Sequence, residues 1–95
     1  MYKNMLQKAS FYGGMTLEEL RHLSECVRIY KGHAISFGKY WRDTEGRAWW
    51  NVRVWKIEGD DCIGVFQAVG GCATDAEAMV YETRWAKEHI DALLG

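Results

Sequence analysis

Residues 48–57 read Ala-Trp-Trp-Asn-Val-Arg-Val-Trp-Lys-Ile. β-Branched and aromatic side chains suit a pleated, half-buried surface, so this segment predicts a strand. Alternation splits it into two faces. Trp50, Val52, Val54 and Lys56 lie on one, and Trp49, Asn51, Arg53, Trp55 and Ile57 on the other. The even face, two valines beside a tryptophan, is expected to form the core beneath the last helix. Residues 33–41 alternate as well: His33, Ile35, Phe37, Lys39 and Trp41 against Ala34, Ser36, Gly38 and Tyr40. A third strand is expected over residues 62–69, ended by Gly70-Gly71. Residues 42–47 and 58–61 are rich in Asp, Glu and Gly and read as the turns between the strands. Strands joined by short turns favour an antiparallel meander.

Helical spacing frames these strands. Thr16-Leu17-Glu18-Glu19 fits a capping box, in which the hydroxyl accepts from the N3 amide and Glu19 reaches back. Leu17, Leu20, Leu23, Val27 and Tyr30 then recur on one stripe, and Gly32 marks the expected stop. A second box, Thr74-Asp75-Ala76-Glu77, opens the last helix. Its expected core stripe is Ala76, Met79, Val80, Thr83, Ala86, Ile90, Leu93 and Leu94, with a second ridge at Ala78, Tyr81, Trp85 and Ala92. Residues 1–15 show no sustained period and are expected to be an arm or a short helix. Residues 16–95 form the single domain. The expected fold is α+β: a three-stranded antiparallel meander with helices packed on one face, in the order α-β-β-β-α.

With 95 residues and 48% apolar content, the chain has material for one core. No window approaches a membrane span, and residues 1–6 lack the long apolar run of a signal peptide. Cys26, Cys62 and Cys72 are odd in number and contain no C-x-x-C, which argues against a disulfide framework or a zinc ribbon. A cytoplasmic protein with reduced thiols is expected. Charge is uneven although the net value is −1. Lys31, Lys39, Arg42, Arg47, Arg53 and Lys56 face only Asp43 and Glu45 in residues 31–56, whereas the chain beyond is acidic.

Catalytic chemistry finds little support. Ser10, Ser24 and Ser36 sit in no nucleophile-elbow context, and His22, His33 and His89 have no partner at metal-ligand spacing. Asp60-Asp61 reads as a turn. Gly70-Gly71 precedes a helix without a following Lys, and Asp75 and Glu77 would repel a phosphate there. Neither a cofactor, a metal nor an enzymatic activity is expected.

The odd face of residues 48–57 is where function is expected. Trp and Arg dominate binding hot spots through rigid area and bidentate donors. Trp41, Arg47, Trp49, Arg53 and Trp55 are therefore the candidate partner-binding residues, with Tyr40 and Arg42 at the rim. Tyr81 and Trp85 form a secondary candidate interface. The plain structural alternative is that residues 1–15, with Phe11 and Tyr12 as lids, or a second copy in a homodimer, cover the face. A protein partner is the leading expectation. Single-stranded nucleic acid is the alternative, because exposed aromatics stack bases and bases such as Arg42 track phosphates. The acidic last helix and a pI of about 6.3 count against it.

Two resemblances bear on this. The order α-β-β-β-α is similar to that of double-stranded-RNA-binding domains, but Thr74-Asp75-Ala76-Glu77-Ala78-Met79 is acidic where that family is basic, so its function does not carry over. Tyr30-Lys31-Gly32-His33-Ala34-Ile35, a Trp-bearing strand, Ala73-Thr74-Asp75-Ala76-Glu77-Ala78 and a closing Trp85 with Ile90-Asp91 resemble small uncharacterised bacterial and phage β-β-β-α proteins. Size and composition are also similar in type to phage-borne inhibitors such as anti-CRISPR proteins. The β-β-β-α proteins have no established activity to carry over, and the likeness to such inhibitors, one of type with no shared motif, implies a small inhibitor or regulator that occupies a partner's surface.

Overall fold

The computed structural model describes residues 3–7, 14–46, 48–72 and 74–95. Eight elements follow one another: β1 (Lys3–Gln7), β2 (Gly14–Thr16), α1 (Leu17–Leu23), β3 (Cys26–Tyr30), β4 (His33–Arg42), β5 (Ala48–Glu58), β6 (Asp61–Cys72) and α2 (Asp75–Leu94). The strands make one antiparallel sheet in the order β1-β6-β5-β4-β3, and β2 pairs with β6 beside β1. The α+β class agrees with the sequence reading, whereas the expected order α-β-β-β-α gives way to β-β-α-β-β-β-β-α, with β4, β5 and β6 paired in sequence inside a larger sheet. The sheet is wider than expected, because six strands contribute.

Two expectations are corrected along the chain. The first helix stops at Leu23, and Cys26–Tyr30 is a strand. Cys-Val-Arg-Ile-Tyr is β-branched and aromatic, which favours a strand, and its spacing fits both periods over so short a run. Gly32 ends no helix. It shares a two-residue hairpin turn with Lys31, at φ 74° and 46° respectively, between the paired Tyr30 and His33. Positive φ at both central positions is the type I′ geometry that matches strand twist. The arm, too, is partly strand: Lys3–Gln7 and Gly14–Thr16 line the edge of β6. Phe11 and Tyr12 lie outside the described residues.

The helices pack on opposite faces of the sheet, not on one. On the α2 face, Ile35, Phe37, Ala48, Trp50, Val52, Val54 and Ala68 pack with Ala78, Ala86 and Ile90. On the α1 face, Leu20 packs with Ala34, Trp55 and Cys62, flanked by Met15, Leu17, Val27 and Ile57. The even face of β5 thus lies beneath the last helix, as its two valines and Trp50 suggest. The odd face is half covered by α1. Thr16 caps that helix through the full capping box, and the Leu17 amide donates to the Asp60 carbonyl at 3.0 Å, fixing the helix start to the β5–β6 turn.

Two bulges set the faces. The β5–β6 register shifts between Val54/Phe66 and Trp55/Gly64, leaving Val65 as the extra residue. Ala68 and Cys62, both even-numbered, therefore belong to different cores. The β4–β5 register shifts between Lys39/Trp50 and Trp41/Trp49, with Tyr40 as the extra residue. Trp41 leaves the Ile35–Phe37 face and joins Trp49 on the opposite one.

The sheet-facing stripe of α2 is Ala78, Glu82, Ala86 and Ile90, each at most 1% exposed. Val80, Leu93 and Leu94, expected in the core, are more than half exposed. The buried stripe runs i, i+4 through a glutamate, so charge hid it from an apolar count. The far end of α2 is tied to the β3–β4 turn. Asp91 accepts from Lys31 Nζ at 2.6 Å and from the Tyr30 hydroxyl at 2.9 Å. Lys31, and secondly Tyr30, hold the Asp91 carboxyl below its ordinary value of 3.8. A depressed carboxylate contributes stability above the ordinary value and loses it as pH falls through the depressed one. The melting-temperature gap between wild type and Asp91→Asn should therefore narrow below about pH 3.8 and stay constant above it to neutrality. A gap independent of pH across the acid range would contradict this tie.

Candidate protein-interaction surface

The odd face of β5 has two ends of different character. At one end α1 closes it. Trp55 is 3% exposed, and its Nε1–H donates to Ser36 Oγ at 2.9 Å. Ser36 in turn donates to the Arg53 carbonyl at 3.4 Å. The expectation that Trp55 faces a partner is corrected here: Leu20 and its neighbours cover it, and a hydroxyl satisfies its indole. A buried indole needs such an acceptor.

The other end is open. The bulge at Tyr40 sets Trp41 opposite Trp49, and their rings stack at 5.2 Å between centroids with a 13° interplanar angle. Trp41 is 45% exposed, while Trp49 is half-buried beneath it. Asp43 orients Trp49 by accepting from its Nε1–H at 3.2 Å. The same aspartate builds the turn: its side chain accepts from the Glu45 amide and its carbonyl from the Gly46 amide. Arg42 Nη1 donates to the Gly46 carbonyl at 3.0 Å, which holds the turn against the end of β4.

Along the same face lies Asn51, then Arg53. Arg53 Nε donates to Gln67 Oε1 at 3.2 Å across the β5–β6 ladder. That bond holds the Arg53 side chain against the β5–β6 ladder. Asn51 Oδ1 is buried and has no hydrogen-bond partner among the described residues.

Trp41, Trp49 and Arg53 are thus brought onto one face. Arg47 lies outside the described residues, and the side chain of Tyr40 is likewise not described. Tyr81 and Trp85 occupy the other side of the molecule. Tyr81 is exposed, whereas Trp85 is half-buried, edge-on to Phe66 at 5.5 Å and against His89 at 4.4 Å. The His89 Nδ1–H donates to the Trp85 carbonyl at 2.8 Å, so this aromatic group is packed in place.

Asn51, Gln67 and Asp43 are site residues that sequence reasoning missed. By its sequence context Asp43 reads only as a turn residue. Counting back from the β5–β6 turn, an unbulged ladder places Phe66 across from Arg53, and only the extra residue brings Gln67 there. Among the described residues no three His, Cys, Asp or Glu side chains gather as metal ligands, and no helix is long and apolar enough to cross a membrane.

No protein-family model matches the chain, and no curated protein or solved structure matches it at a significant level.

The two ends of the face should respond differently to truncation. Trp55→Ala removes a buried indole and should cost about 3–5 kcal/mol in urea unfolding. Trp41→Ala should cost under about 1 kcal/mol, because its ring is half in solvent. Equal losses at both positions would contradict the division.

Proposed function

We propose that this chain is a small non-catalytic binding protein, an inhibitor or regulator, that occupies the surface of a partner protein through Trp41, Trp49 and Arg53. The observation that carries this reading is the stacked Trp41–Trp49 pair, held half in solvent by a bulge and by Asp43. Burying Trp41 against a partner removes a large rigid apolar surface from water at little cost in conformational entropy. Arg53, bonded to Gln67, supplies a planar cationic group beside it. The surface is small, so the reading places the contact within a larger interface that includes the rim at Arg42 and Asp43.

A second reading uses the same residues to stack a nucleobase. Exposed Trp41 beside Arg53 favours it. The carboxylate of Asp43 at the edge of Trp49 and the net charge of −1 favour the protein partner, because both repel a phosphate backbone. The cytoplasm is the proposed compartment, in keeping with cysteines of which two, Cys26 and Cys62, are free thiols.

Affinity capture from the producing cells tests the reading, with wild type, Trp41→Ala and Arg53→Glu compared side by side. A protein retained by wild type and lost from both variants, with both still folded by circular dichroism, is the expected result. Retention by all three would overturn the assigned surface. Salt-sensitive retardation of single-stranded oligonucleotides by wild type, abolished in Trp41→Ala, would replace the protein partner with nucleic acid.

A further inference from the structure

The sheet has a second accessible feature, away from the tryptophan pair. β3 is an edge: it pairs with β4 and with no other strand among the described residues. The Ile57 amide donates to the Gly32 carbonyl at 3.0 Å. That bond fixes the alternation of the ladder, so Ala34 and Ser36 turn their backbone groups toward β5, and His33, Ile35 and Phe37 toward β3. On β3 the residues facing those three are Cys26, Arg28 and Tyr30. The N–H and C=O groups of Val27 and Ile29 therefore point outward from the edge.

Native edges are usually blunted by proline, a bulge or several charges. β3 has neither proline nor bulge, carries Arg28 as its only charge, and leaves Ile29 half exposed. Beside it runs a groove of about 540 Å³, because α2 rests on β4, β5 and β6 and leaves its outer flank open toward β3. Arg28, Tyr30, Met79, Thr83, Arg84 and Lys87 line it. Arg28 and Arg84 have no hydrogen-bonded or ion-paired partner among the described residues, and Lys87 Nζ sits 5.1 Å from the centre of the Tyr30 ring. Of the two acids on the groove, Asp91 is taken up by Lys31 and Tyr30, which leaves Glu88 against three cations.

We propose that β3 accepts an extended acidic segment of another protein as an added antiparallel strand. Its acidic side chains turn into the groove toward Arg28, Arg84 and Lys87, and its apolar ones lie over Val27 and Ile29. Main-chain bonds to an edge give such a contact its affinity, and alternate side chains give it specificity. The residue opposite Arg28 falls at a non-hydrogen-bonded position, where facing side chains are closest, so a carboxylate there meets the guanidinium directly. A second copy is a poorer occupant. Pairing Val27 with Ile29 of the copy, which uses the whole strand, sets Arg28 against its own symmetry mate, and like charges directly opposite are destabilising.

The test is fluorescence anisotropy with a labelled heptapeptide of alternating Val and Glu, at low salt, on the intact chain. Binding is expected, with loss when Lys replaces Glu. N-methylation of the valines, whose amides meet Val27 and Ile29, should abolish binding, whereas N-methylation of the glutamates should spare it. Charge reversal in Arg28→Glu or in Arg84→Glu should weaken binding about tenfold. Arg84 is on the exposed side of α2, so its variant keeps the comparison valid if Arg28→Glu unfolds. Three results overturn the proposal: no binding, equal binding of the Lys peptide, or equal effects of the two methylation patterns. Sedimentation as a dimer, with the Val27 and Ile29 amides already protected from hydrogen exchange, would give the edge to a second copy instead. Because the Trp41→Ala variant leaves this edge intact, its peptide binding should match wild type, which separates the outcome from that of the tryptophan surface.

Discussion

The structure depends on β5 being buried from both sides. A strand in the middle of a sheet has no spare edge, and its side chains leave alternately up and down. Here the upward set, Trp50, Val52 and Val54, fills the core under α2, and the lower set ends in Trp55 and Ile57 under α1. Two thin cores on opposite faces are an economical way to stabilise a chain of this size, since each needs only one helix as a lid. They also make the strand intolerant of displacement: moving it by one residue would put Arg53 and Asn51 where the valines sit.

Because β5 runs without a break of its own, its neighbours adapt to it. β6 takes up one residue at Val65, and β4 takes up one at Tyr40. Each bulge re-aims the half-strand beyond it. At Val65 the result serves packing, for Cys62 comes under Leu20 while Ala68 stays under α2. At Tyr40 the result serves the surface, since it carries Trp41 from the α2 face to the side of Trp49. The candidate site thus uses the same device as the core, one extra residue in an otherwise regular ladder.

Local signals and long-range pairing divide what is legible in the sequence from what is not. The strands β4, β5 and β6, the two capped helix starts and the even core face of β5 follow from local pattern, because capping boxes and alternation act within a few residues. The short helix α1 and the strand β3 read as one helix, because Leu17, Leu20, Leu23, Val27 and Tyr30 keep helical spacing across the Ser24-Glu25 bend. The bulges carry no such local signature. Nothing near Val65 or Tyr40 distinguishes them from regular strand residues, so the faces of Trp41 and Gln67 could not be read by counting, whereas Trp55 keeps its counted face and is buried because α1 crosses it. Glu82 is a different case: a fully buried carboxylate on the sheet-facing stripe inverts the rule by which helix faces are assigned. The opposite placement of the helices was hidden for a related reason, since only the long-range pairing of β3 shows which face α1 must cross.

The tie between Asp91 and the Tyr30-Lys31 corner joins residues 60 and 61 apart in the chain. It spans from the first hairpin to the final turn of the last helix, and it closes over the meander that lies between them. Closing so long a loop carries an entropy cost, so the tie adds least to the speed of folding and most to holding the finished molecule shut. The helix itself follows β6 directly and rests chiefly on β6 and β5, which lets it cover the valine face without waiting for that distant corner. Asp91 thus acts as a latch on a lid that its own strand already carries.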